Sequence, residues 1–415
     1  MGEGTPFAWQ GVRTGMSDRV NFPNPEDTDP IAKTMIVEGW RFLAHSYAAV
    51  NQWQLLALLR RADVALSVRD MPLYNQRWQT QDGLFEPQVE QTLRSISTAK
   101  ADEVADVTLR MFFPYDFSPS HSRQTAIFGT SENQVIRRNQ LPDSQAYERL
   151  HMMPPPAALK VVTPSRWSAE GFYKAGFSRE QVAIVPHGVD IDMFRPMPDV
   201  RGRIRRDLRI SDNDFVFLSI GSMTGNKGID LLLQAFTEVS RKFPHARLVL
   251  KGMDPLYPSQ DWLHQCMQAL PAGDQPRVSN RITYFGRSFP HRQMAMLYQA
   301  ADAYVSPYRA EGFNMPVLEA AACGIPIICT RGGATDDFVT DAIARRIDSR
   351  KVSINLDGEE LAGLEPNVEH LIGLMVSAVK DASWRNQAAE AGPLHVRANY
   401  TWDRVVGLLV RNLFN

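Results

Sequence analysis

Cysteine is scarce in this chain, with three residues (Cys266, Cys323 and Cys329) among 415. No two of them form a CxxC pair, which excludes a disulfide-built scaffold and a cysteine-ligated zinc site and fits a reducing compartment. Long hydrophobic runs are missing too. No window approaches the roughly 18 uninterrupted apolar residues that a membrane-crossing helix needs. The first ten residues, MGEGTPFAWQ, have no basic stretch followed by an apolar one, so no secretory leader is expected. Pro6 stands where a myristoylation pattern starting at Gly2 needs Ser or Thr. There is also no excess of charge of one sign: Lys plus Arg number 45 and Asp plus Glu number 46. That balance argues against a nucleic-acid partner held by electrostatics. These absences together predict a soluble cytoplasmic protein.

The chain is too long for one ordinary core and fits two domains of roughly 200 residues each. After an arm at 1–30 rich in Gly, Pro, Asp and Asn, short β-branched runs alternate with helical periods, the pattern of βαβ units and parallel sheets. Strands are predicted at 33–39, 63–68, 105–113, 123–130, 159–163 and 181–186, with helices at 46–61, 86–97, 143–152 and 166–175 between them. The stretch 191–213, with two prolines, many charges and no buried pattern, predicts a linker with a short helix. The alternation then restarts. Strands are predicted at 214–221, 246–252, 281–286, 303–307 and 325–330, and helices at 228–243, 259–269, 290–301 and 316–323. Helical periods follow at 367–381 and 383–414, and Pro393 is expected to kink or break the last. The predicted fold class is α/β: two doubly wound Rossmann-like domains, 1–190 and 214–397, facing across a cleft. A final helix at about 398–415 packs back on the first domain. Ligands of such sheets bind beyond the carboxyl ends of the strands, so the loops there matter most.

Two of those loops carry chemistry. The first, after strand 214–221, is Gly221-Ser222-Met223-Thr224-Gly225-Asn226-Lys227-Gly228. Its glycines permit sharp turns and close approach of a ligand, the next helix points free N–H groups at whatever sits there, and Lys227 adds a full charge. An anion, above all a diphosphate, is the expected guest, and a Gly-rich turn with a solvated lysine is the plainer alternative. The spacing is neither GxGxxG nor a Walker loop. The second runs from Glu311 through Gly312, Phe313, Asn314 and Met315 to Glu319, after strand 303–307. Pro316 suits a first helical turn, so both carboxylates can face one cleft, where ionised acceptors suit sugar hydroxyls. For Glu319 the alternative is a surface residue complementing the helix dipole.

On these residues the chain resembles family-four glycosyltransferases, the retaining GT-B class. The segment EGFNMPVLEAAACGIPIICT is similar to their signature in both carboxylates, the Gly-Phe pair, the Pro and the small-residue helix. GSMTGNKG resembles their strand–loop–Lys-Gly–helix element. The runs VVTPSRWS and PHGVDIDMFRP look like the end of their N-terminal domain. The likeness is good over about 159–340, thinner in the tail and weak before 159. It implies a retaining, hexosyltransferase-type enzyme that takes its sugar from a nucleotide-diphosphate donor with neither metal nor cofactor. The first domain would then hold the acceptor and the second the donor. Carried over, Glu319 would bind the ribose, Glu311 the donor sugar, and the backbone of Gly312 to Met315 the sugar and phosphate. Lys227, beside Gly221 and Ser222, would stabilise the departing diphosphate, and Arg287 would lie near the base. Lys227 and Glu311 are thus the candidate catalytic residues.

The chain departs from the family pattern in two places. Ser222 occupies the position of an Arg, which removes one charge from the leaving group, a loss on the order of 2–4 kcal/mol of transition-state stabilisation by analogy with an oxyanion-hole donor. Glu38-Gly39-Trp40-Arg41 replaces the Gly-Gly loop of the N-terminal domain, and the histidine expected near Thr130 to Glu132 is missing; His45 and His121 are the nearest in sequence. The acceptor stays open among carbohydrate, lipid-linked and protein molecules. Peripheral membrane contact through Trp40, Phe42, Trp53 and Leu55 to Leu59 stands against simple core packing. A sugar-nucleotide epimerase or phosphorylase, and a non-catalytic partner subunit, remain as alternative readings.

Overall fold

The computed structural model describes residues 33–356 and 358–414; the arm predicted at 1–30 lies outside them. The described residues form two compact units. One holds residues through 188 together with 354–362 and those from 400 on, and the other holds 189–353 and 363–399.

The first unit is built on a six-stranded parallel sheet. Its strands are β1 (Lys33–Gly39), β2 (Val64–Asp70), β3 (Val107–Met111), β4 (Gln124–Phe128), β5 (Leu159–Thr163) and β6 (Val182–Ile184), in the order β2-β1-β3-β4-β5-β6. The strands β1 and β3 to β5 are almost wholly buried, as expected where helices cover both faces of a parallel sheet. Helices α1 (Ser46–Leu59), α2 (Pro87–Arg94), α3 (Ser144–Met152) and α4 (Arg166–Lys174) connect them. Local chemistry sets the helix starts: Asp143 accepts from the Ala146 amide and Ser165 from that of Ser168, each satisfying an otherwise orphaned N–H. Trp40, Phe42, Trp53 and the Leu55 to Leu58 stretch are buried, so they belong to the core rather than to a membrane-facing surface.

The second unit begins with α5 (Pro198–Asp207), inside the stretch read as a linker, with Pro198 in its first turn. A second six-stranded parallel sheet follows: β7 (Phe215–Ile220), β8 (Ala246–Lys251), β9 (Ile282–Phe285), β10 (Ala303–Ser306), β11 (Ile327–Thr330) and β12 (Ala344–Ile347), in the order β12-β11-β10-β7-β8-β9. Helices α6 (Ile229–Lys242), α7 (Ser259–Gln268), α8 (Gln275–Ser279), α9 (His291–Tyr298) and α10 (Met315–Ala322) pack on it. Phe217, Leu232, Phe236, Leu248 and Leu250 lie at the centre of its core, each with essentially no exposed surface. The strands β13 (Ser349–Leu356) and β14 (Glu359–Pro366), absent from the sequence expectations, make a separate two-stranded sheet.

The chain ends with α11 (Val368–Lys380), α12 (Ala382–Asn399) and α13 (Trp402–Phe414). Pro393 does not break its helix, because α12 runs through it. Close packing on α10 holds this segment: a Cβ on Gly392 would sit 2.5 Å from the Ala321 carbonyl oxygen. The interruption falls instead at Tyr400 and Thr401. Helix α13 packs within the first unit, where Arg60 donates to Asp403 at 2.6 Å and Lys160 to the Asn412 carbonyl at 2.7 Å. No helix among the described residues is long and apolar enough to cross a membrane.

Candidate functional site

In the second sheet the strand order reverses between β7 and β10, which are neighbours although far apart in sequence. Chains leaving two such strands diverge to opposite sides and open a crevice above them. The loop after β7 is Gly221 to Gly228, and the loop after β10 contains Glu311. The two predicted loops therefore meet at the topological switch point.

Their contact is direct. The Lys227 ammonium donates to Glu311 Oε1 at 2.8 Å, with the lysine side chain 23% exposed and the glutamate 10%. The loops are also stitched through their backbones. Arg309 N–H donates to the Asn226 carbonyl at 2.7 Å, and the Arg309 guanidinium grips Asp230, in the first turn of α6, with two bonds of 2.7 and 2.8 Å. Gly228 makes this approach possible. Its φ is +67°, and an added Cβ would lie 2.0 Å from the Pro307 carbonyl oxygen, so only glycine fits there. Within the β7 loop, Ser222 Oγ bonds Thr224 Oγ1 at 2.9 Å, and the Thr224 hydroxyl donates to Asn226 Oδ1 at 2.6 Å.

Helix α10 starts at the same place. Asn314, buried and left-handed at φ 75°, caps it from outside, and its amide donates to Ser306 Oγ at 2.9 Å. Phe313 is buried against Phe338 with ring centroids 4.6 Å apart. Pro316 occupies the first turn. Glu319 lies one turn further on and retains some accessible surface. Burial nonetheless pushes its carboxyl up to about 7, and donation from the Tyr298 hydroxyl at 2.8 Å opposes that shift. Gly312 lies in the loop before Asn314, and Met315 is the first residue of α10. Arg287 is exposed, its guanidinium 5.0 Å from the Phe289 ring.

Sequence reasoning missed Arg309, Asp230 and Tyr298. Arg309 and Asp230 meet across 79 positions, and no local spacing announces such a pair. Tyr298 sits on the apolar face of a helical pattern, where an aromatic reads as core. In the first unit His45 turns out to be the cap of α1, its Nδ1 accepting from the Tyr47 amide, and burial lowers its pKa to about 4. His121 is exposed.

Residues 200–350, which contain both loops, match a family model described as glycosyl transferases group 1. This part of the chain is therefore similar to the group 1 glycosyl transferases. The chain is 28% identical over 188 residues to a GDP-mannose-dependent alpha-(1-6)-phosphatidylinositol monomannoside mannosyltransferase of Mycolicibacterium smegmatis, covering 44% of this chain and 46% of the relative. It is also 28% identical over 248 residues to a lipopolysaccharide 1,2-N-acetylglucosaminetransferase of Salmonella typhimurium, covering 59% of each. The chain thus spans about half the length of the curated relatives it matches. Among solved structures, Anabaena Alr3699/HepE in complex with UDP and glucose superposes with a TM-score of 0.64 at 13% identity, over 92% of this chain and 99% of that one. A glycosyltransferase from Rickettsia africae superposes with a TM-score of 0.66 at 13% identity, over 92% and 98%. The segment that matches the family model thus sits in a chain of GT-B fold, with two Rossmann-like parallel sheets.

Proposed function

We propose that this protein is a retaining glycosyltransferase that moves a sugar, a hexose in the simplest case, from a nucleoside-diphosphate donor to an acceptor hydroxyl without a metal ion. The observation that carries the reading is the Lys227–Glu311 pair at the β7/β10 switch point, framed by the N-termini of α6 and α10. In the structure the two charges neutralise each other. A nucleotide sugar offers a partner to both at once: its diphosphate takes the ammonium and its sugar hydroxyls take the carboxylate. Neither charge is left stranded in a partly buried site when the pair opens, and so the exchange is not costly.

The reaction follows from that arrangement. The bond between the anomeric carbon and the diphosphate oxygen breaks, leaving an oxocarbenium-like sugar and a leaving group that gains negative charge. Lys227 and the free N–H groups of the helix ends stabilise that charge where it forms. The acceptor hydroxyl attacks from the face the diphosphate leaves, so configuration is retained, and its proton goes to the departing phosphate. Glu319 would hold the ribose, and Arg287 marks the base end. Names of relatives specify GDP-mannose and those of structural neighbours UDP, so both bases are candidates. The three buried free thiols suit a cytoplasmic location.

The test is a thermal-shift panel of UDP, GDP, ADP and their common sugar conjugates, on the wild type and on Glu319→Ala. A ligand at about 100 times its dissociation constant stabilises by about 2.7 kcal/mol. One nucleotide is expected to raise the wild-type melting temperature, with the shift lost in the variant. A panel that shifts neither protein contradicts the donor site and brings forward a non-catalytic subunit, the role that Ser222 in place of Arg leaves open.

A further inference from the structure

The first unit has its own switch point. Its order β2-β1-β3-β4 reverses between β1 and β3, so the same topological rule that singles out Lys227 and Glu311 directs attention to the crevice above those two strands. What lies there is aromatic. Trp40 follows β1, Phe113 follows β3, and the loop after β2 brings in Tyr74 and Trp78. Tyr74 meets Phe113 edge to face with ring centroids 4.9 Å apart, and lies 6.1 Å from Trp78. Trp78 in turn meets the buried Trp40 at 5.7 Å and the α1 cap His45 at 5.1 Å.

This group is held in place. The Met71 amide donates to the Gly39 carbonyl at 3.1 Å, Trp40 Nε1 to the Pro72 carbonyl at 2.9 Å, and the Gln81 amide to the Phe42 carbonyl at 2.6 Å. Within the loop, Asn75 accepts from the amides of Arg77 and Trp78 at 2.9 Å each. A loop tied back at both ends costs little further entropy when a ligand orders against it. Yet Tyr74 is 51% exposed, and Trp78 and Phe113 are half-buried. Core packing asks for no such exposed ring.

We propose that Tyr74, Trp78 and Phe113 form a stacking platform for a saccharide acceptor. The rings offer flat apolar faces to the C–H face of a sugar, and the exposed Asn75, Gln76 and Arg77 around them supply partners for its hydroxyls. Aromatic bodies beside polar groups suit a ligand that is apolar on one side and hydrogen-bonding at its edge. A membrane-binding surface asks for contiguous aliphatic area, whereas Tyr74 is the one large hydrophobic side chain counted as exposed at this edge among the described residues. The assignment rests on the transferase reading and narrows its acceptor to a carbohydrate, free or as the head of a larger molecule.

The experiment probes the full chain, as wild type and as Tyr74→Ala and Phe113→Ala, on an array of immobilised mono- to tetrasaccharides. Anionic phospholipid vesicles and the nucleotide melting panel are run alongside. The wild type is expected to retain a defined subset of saccharides and both variants to lose at least tenfold in affinity for it, with melting temperatures and nucleotide shifts unchanged. Tyr74 is exposed enough for its truncation to leave the fold intact. Equal retention by wild type and Tyr74→Ala, no retention by the wild type, or Tyr74-dependent binding to the vesicles in place of sugars overturns the proposal. Saccharide retention without any nucleotide shift leaves the platform standing and removes the transferase reading alone.

Discussion

Glu319 carries the clearest electrostatic signature at the site. Burial raises its carboxyl from the ordinary 4.5 to about 7, so the folded state binds a proton that the unfolded chain has already released. A raised folded value means stability that is complete below about 4.5 and is lost as the pH rises through 7. Glu319→Gln keeps an oxygen for the Tyr298 hydroxyl and has no charge to bury. The variant should therefore gain on the wild type between pH 4.5 and pH 8, by up to about 3 kcal/mol, read as the difference of melting temperatures without nucleotide. An identical difference at both pH values contradicts this account of the carboxyl. The same shift has a functional meaning. On the proposed reading, ribose hydroxyls donating to this carboxyl would favour its ionised form.

At the scale of elements, the site depends on how closely the β7 loop approaches the end of β10. Gly228 sits at that contact with a left-handed φ and no room for a Cβ beside Pro307. Gly228→Ala should cost about 3 kcal/mol or more, combining backbone strain and overpacking. It is measured as a lower urea midpoint for the second unit, and an unchanged midpoint contradicts the packing argument. The elements that hold this contact were legible in advance because β7, β8, β10 and β11 read as short buried runs, the first three followed at once by Gly or Pro, and helix α6 as an apolar stripe. Strands β12 to β14 were not legible. ARRI and SRKVSINL mix charges with apolar residues because β12 is an edge strand and β13 is largely exposed, so neither shows the buried-run signal. Pro393 misled because local propensity reads it as a break, while the contact of Gly392 with α10 keeps the helix going. The Lys227–Glu311 contact could be expected from two loops at one switch point. The Arg309–Asp230 clamp could not, because it exists only once the loops are brought together.

At the scale of the molecule, two Rossmann-like units each place distinctive side chains above their own strand reversal: the Lys227–Glu311 pair in one, and aromatic rings beside the Arg41–Asp70 pair in the other. On the proposed reading, this division suits a transferase that holds its donor and its acceptor by different chemistry. It also accounts for uneven legibility. The second unit relies on glycines, a lysine and two carboxylates at fixed spacing, which a single sequence displays. The other unit relies on rings delivered by three separate loops, which only the fold assembles. The most direct test of the central claim is the release of free nucleoside diphosphate from the nucleotide sugar that stabilises the protein, measured at saturation for the wild type and for Lys227→Met. Loss of the Lys227 charge should slow the wild-type rate by roughly a hundredfold to a thousandfold, while the variant remains folded at the assay temperature. Release at the same rate from both proteins, or none from the wild type, would contradict the assignment of Lys227 and the catalytic reading with it.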